Sequence, residues 1–463
     1  MNSLIHLVLV YLHLFTAFGA FNKPVPCKSI VVRKEIKTLS ESEWAMIKDV
    51  IKKMHVDGWF NKLAKVHNDV YNYVHNGSIF LPFHRLLTRR FEEIGQTYNP
   101  RFFVPYWDAA VDFKDPVKSS IISSKYIGTN GAAGNCVVDG AQANWIMSQP
   151  NKHCLRRKFN GENGKIKPFY SPEQMTSIIQ KSKTYDKFRR NLELSLHGAV
   201  HMGFSGDMTT NYSPNDFVFF LHHSNMDRLY WKWQNTDPSL TYAYDGKNPN
   251  RSAAPKLSDK IDYFNVTVES SMHVGYNNMC FTYPDVVPLE ILNKKKDSPF
   301  AKTNPAASIN KNNNFTKALY DLSDATKSKY FPSTLEKNPN PNKFDMPVAF
   351  DTKSVSTKNL SLSDITESGN SASNKTMYHK RAVKRIVYVL KKKYRMPRPP
   401  RPPKHWYVMH KYSEKNVKKV LDRAEQLIDT LNSEGYISPY INELQSYYVL
   451  RRVRAGRKPV IFT

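Results

Sequence analysis

The stretch SPNDFVFFLHHSNMDRLYWKWQ, residues 213–234, decides how this chain folds. From about residue 216 to 234 its apolar residues recur with helical period, so the spacing predicts a helix carrying His222 and His223. Just upstream, LELSLHGAVH (192–201) sets His197 and His201 four residues apart. On a helix these two point from one face and can grip one ion. The third ligand must then arrive from a following helix, and HHSNMDR supplies it. Further upstream, residues 65–87 repeat the theme with His67, His75 and His84. Eight residues, just over two turns, separate the first two, and His84 follows a Gly-containing bend.

The surrounding sequence predicts a mainly α core with few strands. Ser40 and Glu43 form a capping box that starts a helix near Glu41, with Trp44, Ile47, Val50, Ile51 and Met54 at helical spacing. Apolar-periodic stretches at 59–75, 84–97, 186–202 and 216–234 read as further helices, joined by long loops rich in Gly, Pro, Asn and Ser. At 463 residues, with 40% apolar and 13% aromatic residues, the chain can bury a large core, which excludes a short disulfide scaffold and a wholly disordered chain.

Residues 1–20 hold a short apolar run ended by small residues and read as a signal peptide; no later segment is long enough to span a bilayer. The expected localisation is therefore extracellular. Seven Asn-x-Ser/Thr triplets, at Asn76, Asn211, Asn250, Asn265, Asn314, Asn359 and Asn374, fit a secretory route and glycosylation. Sequence leaves the connectivity of the four cysteines open. The preferred bridges are Cys27 with Cys280, which would staple the start of the mature core to its end, and Cys136 with Cys154, which closes a short loop.

Composition divides the chain into a core over 21–284, an Asn/Lys/Ser-rich low-complexity linker over 285–376, and a basic extension over 377–463. Net charge is +28, and from residue 285 onward 34 Lys and Arg stand against 16 Asp and Glu. Without a recognisable nucleic-acid fold, that charge does not make a nucleic-acid binder. Within the extension, PRPPRPP (397–403) reads as a stiff spacer, and a helix is predicted from Glu414 to Leu431 with Val417, Leu421, Ala424, Ile428 and Leu431 on one face.

Imidazole suits zinc, copper, iron and nickel alike. Two sites of three histidines each, with no nearby cysteine or carboxylate triad, favour a copper pair that binds and reduces O2. Together with FLPFHR (80–85), VPYWD (104–108) and MCFTY (279–283), the two histidine segments resemble the serial signatures of the tyrosinase and catechol oxidase family, in order over residues 35–284.

That resemblance implies a four-helix bundle holding two copper ions, one on His67, His75 and His84 and the other on His197, His201 and His223. It makes His222 a packed neighbour and Trp107 and Asp108 scaffold. Asp227 and Arg228 resemble the family's buried ion pair. Phe219 resembles the aromatic over the copper pair, and Gly198 and Met202 join it in the substrate pocket. Glu193, four residues before His197, resembles the glutamate that orients a water to help deprotonate a phenol, whose pKa is near 10.

The implied activity is oxidation of catechols to o-quinones with O2, with monophenols and protein tyrosines as further candidate substrates, in melanin formation or protein cross-linking. Three positions depart from the pattern. Gly198 stands where monophenol-hydroxylating relatives often carry Asn, Tyr73 where many fungal and molluscan relatives carry a cross-linked Cys, and Phe217 where Pro is usual. The rival reading is a haemocyanin-like oxygen carrier, against which the single core without tandem repeats argues. A copper-free structural protein would need six accidental histidines. The extension has two competing readings: a removable cover whose aromatic residues fill the phenol pocket, and a basic adhesive tail that binds acidic surfaces.

Overall fold

The computed structural model describes residues 24–249, 253–303, 314–346 and 394–441. The expected signal peptide, the sequons at Asn250, Asn359 and Asn374, and the chain end at 442–463 lie outside them. The described chain is mainly helical, with three two-stranded ribbons. No helix among the described residues is long and apolar enough to cross a membrane.

Helix α1 (Glu41–Val56) begins at the expected capping box, closed in both directions, and buries Trp44, Ile47, Val50, Ile51 and Met54. Helices α2 (Trp59–Val74) and α3 (Phe80–Tyr98) follow. Helices α4 (Pro172–Lys181), α5 (Tyr185–Leu192) and α6 (Gly198–Phe204) lead to α7 (Phe217–Gln234). All of α7 is buried, which its apolar face alone would not achieve, so its polar residues must find partners inside.

Those partners correct one expectation. Asp227 and Arg228 are both buried, but they do not pair with each other, because neighbours on a helix point about 100° apart. Asp227 accepts from Arg33 Nη1 at 3.2 Å, Arg85 Nε at 2.5 Å and the Tyr283 hydroxyl at 2.8 Å. Arg228 instead reaches Asp108 at 3.0 Å, Asp285 at 3.0 Å and Asp345 at 2.5 Å. Arg33 completes the first network by gripping Glu92 with two hydrogen bonds, at 3.0 and 3.1 Å. Removing one member of such a buried set leaves uncompensated charge, so Asp227→Asn is expected to cost about 3–5 kcal/mol. A denaturant midpoint close to that of the parent protein would show that the network does not hold the core together.

Both preferred disulfides are present, Cys27–Cys280 and Cys136–Cys154. Beside the first, Val31–Val32 pairs in parallel with Phe281–Thr282, so the two ends of the core meet.

The stretch expected to be a linker is folded over much of its described length. Asp285 is buried against Arg228 and Lys232, and α8 (Asn314–Tyr320) and α9 (Asp324–Tyr330) follow. Phe300, Phe315, Phe331 and Phe344 are buried in the common core. A few well-spaced aromatics anchor a segment whose average composition is polar. Residues 347–376 lie outside the described chain.

The extension returns at Tyr394, runs through the proline-rich segment, and forms α10 (Lys404–Met409) and α11 (Glu414–Ser433). The polyproline stretch lies along α11, where Arg398 pairs with Asp429 and Arg401 with Asp422 and Glu425. Helix α11 buries Val417, Leu421, Leu427, Ile428 and Leu431. Gln174 donates to the Ala424 carbonyl at 3.2 Å and Tyr436 to Glu173 at 3.0 Å, fixing the extension to α4.

Candidate metal centre

Helix α2 presents His67 and ends at His75, α3 carries His84, the turn between α5 and α6 carries His197, α6 carries His201, and α7 carries His222 and His223. All seven rings are buried. Ligand atoms of His67, His75 and His84 lie within 4.8 Å of one another, and so do those of His197, His201 and His222. The two groups adjoin: the His84 and His223 rings stack at 4.1 Å with 12° between planes. Phe219 bridges them, its ring 5.2 Å from His67 and 4.1 Å from His223.

The hydrogen bonds select which nitrogen faces inward. Nδ1 of His67 meets the Asn211 carbonyl at 2.7 Å, and Nδ1 of His75, His84 and His197 each meet the carbonyl four residues earlier, at 3.2, 2.8 and 3.2 Å. Nδ1 of His201 meets the Met208 carbonyl at 2.5 Å. A carbonyl only accepts, so each Nδ1 carries the proton and each Nε2 holds a bare lone pair. Main-chain partners of this kind fix the tautomer and aim of metal-ligating imidazoles. Burial also keeps the rings neutral, pushing His67 and His201 down to about 4 and His75, His84, His197 and His223 well below the usual range.

Two close contacts then suit a shared cation. Nε2 of His67 and His84 lie 3.4 Å apart, and so do Nε2 of His201 and His223. In the first pair both atoms are bare lone pairs, which repel at that range; two nitrogens bound about 2 Å from a shared ion at tetrahedral angles would stand about 3.4 Å apart. His197 Nε2 is buried with no hydrogen-bond partner. An all-imidazole donor set of this kind fits copper.

The adjacent histidines of α7 divide the geometric evidence. Spacing of ring nitrogens alone groups His222 with His197 and His201, whereas the 3.4 Å contact belongs to His223 and repeats the one between His67 and His84. The repeated contact is the more specific signal, since it matches the one between His67 and His84 in both distance and atom type. Both His222 nitrogens are buried without partners, and its ring stacks on His197 at 5.6 Å.

Glu193 is also buried, but the rod that carries it is not a continuous α-helix as expected. A π-helical turn spans Glu193–His197, with Ser195 at φ −103° and ψ −107°. Such turns often occur at functional sites. Glu193 Oε1 accepts from the Asn76 amide at 2.9 Å, and Oε2 accepts from Arg189 at 2.8 Å and from the Tyr412 hydroxyl. Burial raises its pKa, and Arg189 opposes that rise.

Three residues of the extension therefore lie at the centre, and sequence reading did not single them out. The Tyr412 hydroxyl reaches Glu193 and also takes a hydrogen bond from Arg189 at 3.0 Å. His410 Nε2 accepts from the Tyr71 hydroxyl at 2.9 Å, and its ring lies 5.1 Å from His75. Trp406 packs against His410 with ring centroids 4.0 Å apart and planes tilted by 33°, and a Cβ at Gly198 would stand 2.7 Å from its indole edge. Trp406 and His410 sit four apart, a helical spacing visible in KHWYVMHKY. Tyr71, missed likewise, stacks on His75 at 4.2 Å. Met202 is buried in the hydrophobic core beside His201.

A family model described as the common central domain of tyrosinase matches residues 57–236. Tyrosinase ustQ of Aspergillus flavus is 28% identical over 312 residues, which span 61% of this chain and 87% of that protein. The tyrosinase of Streptomyces antibioticus is 31% identical over 196 residues, 38% of this chain and 70% of that one. Among solved structures, a polyphenol oxidase from Thermothelomyces thermophila aligns over 55% of this chain and 88% of its own, at 18% identity and a TM-score of 0.45. A functional unit of Octopus hemocyanin aligns over 57% and 72%, at 18% identity and a TM-score of 0.41.

Proposed function

The chain belongs to the tyrosinase family, and on that premise we propose that it is a secreted copper oxidase converting catechols to o-quinones with O2. The carrying observation is the pair of 3.4 Å contacts between Nε2 atoms, one in each group of buried imidazoles. We assign one copper to His67, His75 and His84 and the other to His197, His201 and His223, within a bundle of α2, α3, the α5–α6 rod and α7. Bound copper supplies the binding and reduction of O2. Two catechols give up four electrons and four protons, enough to reduce one O2 to two waters.

The chain's own residues prepare that reaction. Main-chain carbonyls hold five of the ligands in one tautomer, Phe219 closes the space between the two groups, and Glu193, with its raised pKa, is placed to receive the phenol proton through a water. Small phenols and protein tyrosines are the proposed substrates, in pigment formation or cross-linking. The oxygen-carrier reading is not favoured by the curated relatives, which are tyrosinases and tyrosinase-like proteins. Copper analysis of the full chain, with oxidation rates on L-DOPA and L-tyrosine before and after proteolytic release of the extension, tests the assignment. Zinc that copper cannot replace would overturn it.

The extension is proposed to be a cover over this site. Trp406, His410 and Tyr412 support that reading, because they occupy the space beside Gly198, Tyr71 and Glu193 that an incoming phenol would need. The cleavage sites proposed for its removal, Lys380–Arg381 and Lys391–Lys393, lie outside the described residues, as does the basic end that an adhesive role would use.

Gly198 acquires a second reading from this arrangement: it is the seat of Trp406. Gly198→Asn in the full chain is therefore expected to loosen the cover, seen as faster tryptic cleavage and faster L-DOPA oxidation. Its effect on hydroxylation is read only after the extension has been released, where the L-tyrosine to L-DOPA rate ratio should rise. A ratio unchanged by the substitution in released protein would show that Gly198 does not set the balance between hydroxylation and catechol oxidation.

A further inference from the structure

Between α5 and the start of α11 lies a cavity of about 370 Å3 on the seam that joins core and extension. The core lines it with Arg189, Arg190 and Lys247, the extension adds Lys411, and Asp186 is the one acidic lining residue. Asp186 is already engaged, pairing with Arg189 at 2.6 Å and Arg190 at 2.9 Å. Lys247 and Lys411 have no ion-pair partner among the described residues. Arg189 also pairs with Glu193 at 2.8 Å, so closing the extension leaves Lys411 beside Lys247 as the two lining charges without a carboxylate to offset them.

Two further observations point to a missing anion. Ser413, the N-cap of the 20-residue α11, lines the same cavity, so the positive end of a long helix faces it. The crowding continues along the seam. Burial lowers the Lys187 pKa, and the charges of Arg423, Lys181, Lys183 and Lys419, two from the core and two from the extension, lower it further.

We propose that this cavity binds a phosphate-type oxyanion that ties the extension to the core. Guanidinium and ammonium groups with helix-end amides form the donor set such an anion takes. Because the lining comes from both sides of the seam, the anion binds the closed arrangement better than the open one and shifts the population toward closure. The inference uses the placement of the extension described above and is independent of the copper chemistry.

Calorimetric titration of the full chain with inorganic phosphate, at ionic strength fixed with chloride, should give one saturable site. Phosphate at ten times its Kd should slow tryptic cleavage of the extension about tenfold. Lys247→Glu, at an exposed position, should weaken binding and abolish the protection while leaving the fold intact. A parallel titration with glycerol phosphate separates a free oxyanion from an esterified one by which binds more tightly. Heat effects no different from those of chloride, binding unaltered by Lys247→Glu, or faster cleavage with phosphate would each overturn the proposal. Neither readout depends on oxidation, so failure here and failure of the oxidase reading remain distinguishable.

Discussion

Replacing His84 with alanine is expected to abolish L-DOPA oxidation and to reduce bound copper below two ions per chain. His84 shares its Nε2 contact with His67 and stacks directly on His223, so its loss removes one ligand of the first ion and the packing that joins the two groups. Three imidazoles per ion leave no spare donor. Even a residue that only orients a ligand costs roughly 10–100-fold when removed, so losing a ligand should exceed that range. His223→Ala should behave alike, whereas His222→Asn should keep two coppers and measurable turnover. The opposite order, with His222→Asn losing the second ion and His223→Ala keeping it, would move the ligand assignment one residue back along α7. Normal turnover by His84→Ala would sink the copper reading altogether.

The histidine pattern was legible because each ligand lies on or beside a strongly periodic helix, and a spacing of four on a helix fixes a shared face without tertiary information. Helix α1 was legible through the Ser40–Glu43 box and five apolar residues at regular spacing. The π turn at Glu193–His197 was not, since the sequence there is compatible with an uninterrupted helix and the extra residue is set by packing. Neither were the partners of Asp227 and Arg228. Helical geometry excludes a pair between neighbours, but choosing Arg33, 194 residues away, requires the fold. The segment after residue 284 misled for a different reason. Composition averages over a window, and a window dominated by Asn, Lys and Ser hides aromatics such as Phe315, Phe331 and Phe344, which suffice to pin a chain onto an existing core.

Substituting Tyr412 by phenylalanine is expected to raise L-DOPA oxidation by the full chain about tenfold while leaving released protein unchanged. In the closed arrangement the Tyr412 hydroxyl donates to the Glu193 carboxylate and accepts from Arg189, all three side chains being buried. Burial and the nearby Glu193 carboxylate hold the Tyr412 pKa well above its usual value, so it stays a neutral donor, shaped like the phenols the site would oxidise. A buried hydrogen bond to a charged group contributes about 1.5–3 kcal/mol. Glu193 keeps Arg189 and the Asn76 amide as partners in either state, so the lower end applies, and about 1.4 kcal/mol corresponds to a tenfold shift in the closed-to-open ratio. Trp406→Ala should release more, because truncating a buried tryptophan typically costs about 3–5 kcal/mol. Both variants should also be cleaved faster by trypsin, a readout that does not depend on copper loading. If Trp406→Ala activates and Tyr412→Phe does not, apolar packing on Gly198 holds the cover and the phenol is incidental. If neither changes oxidation or cleavage, the extension does not gate the site, and the basic tail must be explained by what it binds outside the chain.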